Sequence, residues 1–171
     1  MIRVLAIDPG NTESGVCLLS DYKPLYFGKF ENEEILKSNG VLEHIMCKYL
    51  PSAVVIEMVA HYGSGMAVGK TVFETCIYIG RIIEWLRLHG ATNIALIPRK
   101  HYIAELTGSA KAKDGNVIQY LVDRFAPNEP NHGKGTKKAP GWFYGFKADV
   151  WQACALGVYY TDLCKKEPED G

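Results

Sequence analysis

Long hydrophobic runs are missing from this chain. None of its 171 residues falls in an apolar stretch approaching the roughly 20 residues that a membrane-spanning helix needs. Nor does the N-terminus read like a secretory leader. Met1-Ile2-Arg3-Val4-Leu5-Ala6-Ile7-Asp8 holds one Arg and a short apolar run, and an acid with Pro9-Gly10 stands where a small-residue cleavage site would be required. A cytoplasmic protein with no membrane contact is therefore expected. Cysteine is sparse and unpatterned: Cys17, Cys47, Cys76, Cys154 and Cys164 form no CxxC pair and are odd in number. That argues against a disulfide framework or zinc cluster and favours reduced cysteines, most of them in the core. A net charge of one sign is also absent, since 19 Lys and Arg balance 19 Asp and Glu. Taken alone, this balance argues against a nucleic-acid partner.

What is present is an ordinary globular composition, 47% hydrophobic and 22% charged, of a length that fits one domain. That domain is expected over residues 1–164, with a disordered acidic tail at 165–171. Charge is unevenly placed along it. Residues 98–147 hold nine basic residues (Arg99, Lys100, Lys111, Lys113, Arg124, Lys134, Lys137, Lys138, Lys147) against four acids (Glu105, Asp114, Asp123, Glu129), an excess of five positive charges. Such a local basic surface can bind phosphate on a neutral protein.

Hydrophobic periodicity gives an α/β pattern. Arg3–Ile7, Ser14–Ser20 and Leu25–Phe30 read as strands separated by turn signals at Pro9-Gly10-Asn11-Thr12 and Tyr22-Lys23-Pro24, which suggests an antiparallel meander. Asn32 to Tyr49 has helical spacing, weakened at Gly40. Ala53–Glu57 is a continuous apolar run ending in an acid, as a buried parallel strand would be. Thr71–His89 predicts a long helix ended by Gly90, and Asn93–Ile97 another strand. Helices follow at His101–Leu106, Asn116–Phe125 and Asp149–Leu163, with a Pro-, Gly- and Lys-rich loop over 126–145. The expectation is a mixed sheet with helices around it.

Three acids stand where such a fold could use them. Asp8 ends the first strand, Glu57 ends the fourth, and Asp149 opens the last helix. Open α/β sheets bind ligands beyond their strand ends. Clustered carboxylates repel unless a cation holds them, and hard oxygen ligands suit Mg²⁺ or Mn²⁺. Two such ions about 4 Å apart would support phosphodiester hydrolysis. Each acid also has a plain structural explanation: a turn residue, a salt-bridged strand end, or an N-cap.

Four segments resemble, in order, the RuvC family of Holliday junction resolvases. They are Ala6-Ile7-Asp8-Pro9-Gly10-Asn11-Thr12-Glu13-Ser14-Gly15, Val54-Val55-Ile56-Glu57, Thr107 to Val117, and Asp149-Val150-Trp151-Gln152-Ala153-Cys154-Ala155-Leu156-Gly157. The resemblance implies a ribonuclease-H-like fold, a homodimer, and paired Mg²⁺-dependent nicking of four-way DNA junctions without a nucleotide cofactor. It implies Asp8, Glu57 and Asp149 as metal ligands. It makes Lys113, or else Lys111, the contact to the scissile phosphate, and Lys100 a second one. The loop after Glu57 offers Tyr62 or His61 as an aromatic at the junction, and Lys134, Lys137, Lys138 and Lys147 would bind backbone phosphates. The family places a further ligand three residues from the last acid, where this chain has Phe146 and Gln152.

Other readings are weaker. Asp8-Pro9-Gly10-Asn11-Thr12 is similar to the phosphate loop of sugar-kinase-like ATPases, but a second lobe would not fit in this length. Gly63 to Thr71 has a P-loop-like ending at the wrong spacing. A ribonuclease-H-like nuclease acting on RNA, and a junction-binding protein with weakened catalysis, remain as alternatives.

Overall fold

Alternation along the strands decides the architecture. In β1 (Arg3–Pro9), Val4 and Ala6 point to one face of the sheet and Leu5 and Ile7 to the other, and all four are fully buried. A strand covered on both faces reads as a continuous apolar run, which is why β1 and β4 (Ala53–Met58) look alike in sequence. The computed structural model describes residues 1–60 and 69–166. With β2 (Glu13–Ser20), β3 (Lys23–Glu31) and β5 (Ile94–Pro98), these strands form a five-stranded sheet of order β3-β2-β1-β4-β5. The β1–β2–β3 meander is antiparallel, while β4 and β5 join it in parallel. This is the mixed sheet that the sequence predicts.

Each face is covered by helices. Leu5, Ile7, Val16, Leu18, Val54 and Ile56 pack against α1 (Asn32–Leu36), α2 (Val41–Tyr49) and α3 (Lys70–Leu88). Val4, Ala6, Cys17, Leu19 and Val55 pack against α4 (Arg99–Thr107), α5 (Asp114–Phe125) and α6 (Val150–Lys166). Helix α6 lies directly on the sheet. A Cβ on Gly157 would stand 2.9 Å from Leu19 Cδ1 and 3.2 Å from Ala6 Cβ, so only glycine lets the helix come this close.

Several boundaries differ from the sequence reading. The single helix expected over 32–49 is two. The chain turns between them, with Gly40 N–H donating to Lys37 O and Asn39 in the left-handed region at φ 57°. The last helix extends to Lys166, into the segment expected to be a tail. Basic Lys165 and Lys166 favour its C-terminal end, and Lys165 bridges Asp21 at 3.4 Å. Residues 167–171 lie outside the described residues. All five cysteines are reduced, but only Cys17 and Cys154 are buried and Cys47 is exposed, so fewer belong to the core than the sequence suggests.

The 126–149 connection is anchored by aromatics. Phe146 packs 4.6 Å from Phe27 and 5.0 Å from Trp151, ring centre to ring centre, and Phe143 lies 4.8 Å from Trp151. This cluster ties the start of α6 to β3 and so fixes where Asp149 emerges. No helix among the described residues is long and apolar enough to cross a membrane.

Candidate active site

Strand parity and register bring the expected acids together. Asp8 pairs with Gly15 across β1–β2, and Gly15 with Lys29 across β2–β3. On the other side Ile7 pairs with Ile56, which makes Glu57 the next neighbour of Asp8. Counting two residues from Ala6, Cys17, Phe27 and Val55, all four positions fall on the face that α6 covers. Asp149, just before α6, then closes over this row. A Cβ on Gly15 would stand 2.5 Å from Asp149 O, so the absent side chain is what admits Asp149 beside Asp8.

The electrostatics of the cluster are unbalanced. Burial, and then the charges of Glu57 and Asp149, push the Asp8 carboxyl from its ordinary 3.8 up to about 8. Glu57 is also raised, chiefly by burial, against the opposing pull of Tyr102 and Arg99. The Tyr102 phenol donates to Glu57 Oε2 at 2.5 Å, and burial beside that carboxylate raises its own pKa, so it stays a donor. Arg99, the first residue of α4, reaches Glu57 Oε2 at 3.8 Å, donates to Gln152 Oε1 at 2.8 Å, and bridges Asp114 at 2.6 Å. On the opposite flank Lys29 Nζ stands 3.1 Å from both Asp149 Oδ2 and Glu13 Oε2.

The turn after Asp8 is held by buried polar contacts. The Ser14 hydroxyl donates to Asn32 Oδ1 at 2.7 Å, and Asn32 Nδ2 donates to Gly10 O at 3.0 Å. The Asn32 backbone N–H donates to Thr12 O at 2.8 Å. These bonds fix Pro9–Thr12 and with it the end of β1 that carries Asp8.

Among the described residues, no three His, Cys, Asp or Glu side chains converge tightly enough to close around a metal as they stand. The donor chemistry nevertheless fits a hard divalent cation. The acids that meet at Asp8 are all oxygen donors, and burial, with the charges of Glu57 and Asp149 added to it, keeps that carboxyl protonated to about pH 8. A bound cation would offset those charges.

Solved structures with this arrangement of elements exist. A Thermus thermophilus RuvC structure matches at TM-score 0.66 and 13% identity, covering 96% of each chain. T. thermophilus RuvC in complex with a Holliday junction substrate matches at 0.66 and 14%, again over 96% of each chain. The yeast mitochondrial Holliday junction resolvase Ydc2 matches at 0.56 and 12%, over 96% of this chain and 84% of that one. This chain has the RuvC fold. No protein-family model matches the sequence, and no curated protein matches it either.

Within this RuvC fold the remaining expected residues are scattered. Lys113 is the exposed N-cap of α5, and its neighbour Asp114, rather than its own amine, is tied to the site through Arg99. Lys111 is exposed and Lys100 half-buried. Lys137 and Lys138 sit at the tip of a turn closed by Thr136 N–H donating to Ala139 O at 2.9 Å. Lys147 is exposed, and Lys134 lies over the Trp151 ring at 5.7 Å. His61, Tyr62 and most of the glycine-rich segment from Gly63 lie outside the described residues. Phe146 is fully buried in the aromatic cluster, and Gln152 is engaged by Arg99.

The sequence reading missed Arg99, Tyr102, Lys29 and Asp114 as parts of the site. A signal for two of them existed. Lys29 shares the parity of Gly15 and Asp8 on adjacent strands, and Arg99 immediately follows a strand end.

Proposed function

We propose that this protein is a divalent-cation-dependent endonuclease that nicks four-way DNA junctions, working as a homodimer. The observation that carries this is the buried Asp8 carboxyl flanked by Glu57 and Asp149 at one end of the sheet. The likeness in fold to RuvC, including RuvC bound to a Holliday junction substrate, supports the choice of branched DNA.

Asp8, Glu57 and Asp149 would hold Mg²⁺, or Mn²⁺ in its place. When bound, such a cation supplies activation of the attacking water and neutralisation of phosphate charge. Tyr102 and Arg99 orient Glu57, and Lys29 orients Asp149. Lys113 is the N-cap of α5, Lys111 lies on the link between α4 and α5, and Lys100 is on α4. There they would face the phosphate, with Lys134, Lys137, Lys138 and Lys147 following the backbone away from it. Binding of this kind weakens steeply with salt and reads shape more than base edges.

A second copy would meet this chain through α3. Phe73, Ile77 and Leu88 are 60, 67 and 75% exposed and share a stripe of α3 with Gly80, on the side opposite the buried Tyr78, Ile79 and Ile82. A helix face with exposed apolar residues suits a two-fold dimer, with Gly80 allowing close approach.

The test is cleavage of synthetic four-way junctions in Mg²⁺. Paired symmetric nicks should appear and vanish in Asp8→Asn, Glu57→Gln and Asp149→Asn. Equal cutting of linear duplex, or activity confined to RNA, would overturn the junction reading. Tight junction binding without nicks would make the protein a junction binder.

A further inference from the structure

The side of the centre formed by Glu57, Gln152 and Asp114 already contains a cation, the guanidinium of Arg99. Its Nη1 stands 2.8 Å from Gln152 Oε1 and 3.8 Å from Glu57 Oε2, and its Nη2 stands 2.6 Å from Asp114 Oδ1. Nη1 also donates to the Tyr102 hydroxyl at 3.3 Å. Glu57 Oε2 therefore accepts the Tyr102 hydrogen bond at 2.5 Å and faces Arg99 as well, which leaves its other oxygen better placed to meet a metal. Gln152, at the position where a further acidic ligand was expected, is neutral and turned to Arg99. An arginine is charged at every relevant pH and cannot yield its place by losing a proton. A metal ligated by Glu57 and Gln152 would have to sit about 2 Å from oxygens that the guanidinium now occupies.

We propose that Arg99 takes the role of a second cation in this site, which binds a single divalent metal through Asp8 and Asp149 with the remaining oxygen of Glu57. The inference rests on the metal-dependent nuclease reading given above. The Arg99 side chain is 33% exposed, so a phosphate can reach it from solvent. There the guanidinium would sit against charge developing on the phosphate, as arginine does in other phosphoryl-transfer sites. Asp114 and Gln152 are then positioning residues that aim it. Asp114 itself has a 73% exposed side chain and meets the site through its bridge to Arg99.

Counting Mn²⁺ bound to the DNA-free protein, from the electron paramagnetic resonance signal of the unbound ion, decides the matter. The full chain should bind a single Mn²⁺, and Asp8→Asn should lose it. Arg99→Ala, which leaves Glu57, Asp114 and Gln152 without their counter-ion, should gain a second, weaker site, and Arg99→Lys should keep the single one. Thermal unfolding gives an independent reading: Mn²⁺ should raise the melting temperature of Arg99→Ala more than that of the unaltered protein. Two Mn²⁺ per unaltered chain would overturn the role of Arg99 and leave the nuclease reading standing. Failure of Arg99→Ala to gain a site while it melts cooperatively would do the same. Binding that is unchanged in Asp8→Asn, or absent from the unaltered protein, would remove the metal site itself and this inference with it.

Discussion

Asp8→Asn should make the metal-free protein more stable, by an amount that grows with pH. In the unfolded chain Asp8 ionises near its ordinary value of 3.8, whereas in the folded chain its carboxyl holds its proton to about 8. Between those values the folded state binds a proton that the unfolded state has released, so stability falls as pH rises. It is fully present below the unfolded value and is lost progressively up to about 8. The slope for one group is about 1.4 kcal/mol per pH unit, which comes to about 4 kcal/mol between pH 5 and pH 8. Asparagine keeps the shape of the side chain and does not titrate. The difference between the two proteins therefore reports Asp8, together with Glu57 whose charge it feels, and removes groups elsewhere that change over this range. For a domain of this size about 4 kcal/mol corresponds to a difference of roughly 10 °C in melting temperature. The assay is thermal unfolding followed by circular dichroism in EDTA, at intervals from pH 5 to pH 9. The asparagine variant should draw ahead as pH rises, and the gap should level off near pH 8. Adding Mg²⁺ should stabilise the unaltered protein and leave the variant where it was. Parallel pH profiles for the two proteins would show that Asp8 is not held protonated by its neighbours, and the electrostatic account of the site would fail.

Two further outcomes follow from the packing. Gly15→Ala places a methyl 2.5 Å from Asp149 O, so β2 and the start of α6 must separate. Urea unfolding should show a loss of about 1–3 kcal/mol, and an unchanged midpoint would mean that α6 does not rest on Gly15. Ile77→Asp sets a charge in the exposed stripe of α3 and should convert a dimer to monomers in sedimentation velocity without lowering the melting temperature. A persisting dimer would place the interface elsewhere.

Much of the site was legible in the sequence because strand ends and carboxylates are local signals. Asp8 and Glu57 each terminate an apolar run, and a run that is apolar throughout belongs to a strand buried on both faces. Once β1 and β4 are taken as parallel neighbours, the two acids must meet at one end of the sheet. Asp149 was legible for a similar reason, as the polar residue opening the last apolar helix. The charge on residues 98–147 was also visible by counting.

Pairing between side chains distant in sequence was not legible, because it depends on how the helices sit on the sheet. Asp114 looked like one acid in a basic segment until α4 and α5 brought it to Arg99. Gln152 looked like a missing ligand until the same arginine was found holding it. Phe146 owes its place to the aromatic cluster with Phe27 and Trp151, which forms only when the 126–149 connection folds back over β3. Hydrophobic alternation along the chain thus determined the strands, their faces and the acids at their ends. Only the tertiary structure, through the close seating of α6 on Gly15 and Gly157, decided which charges would share the space around Asp8.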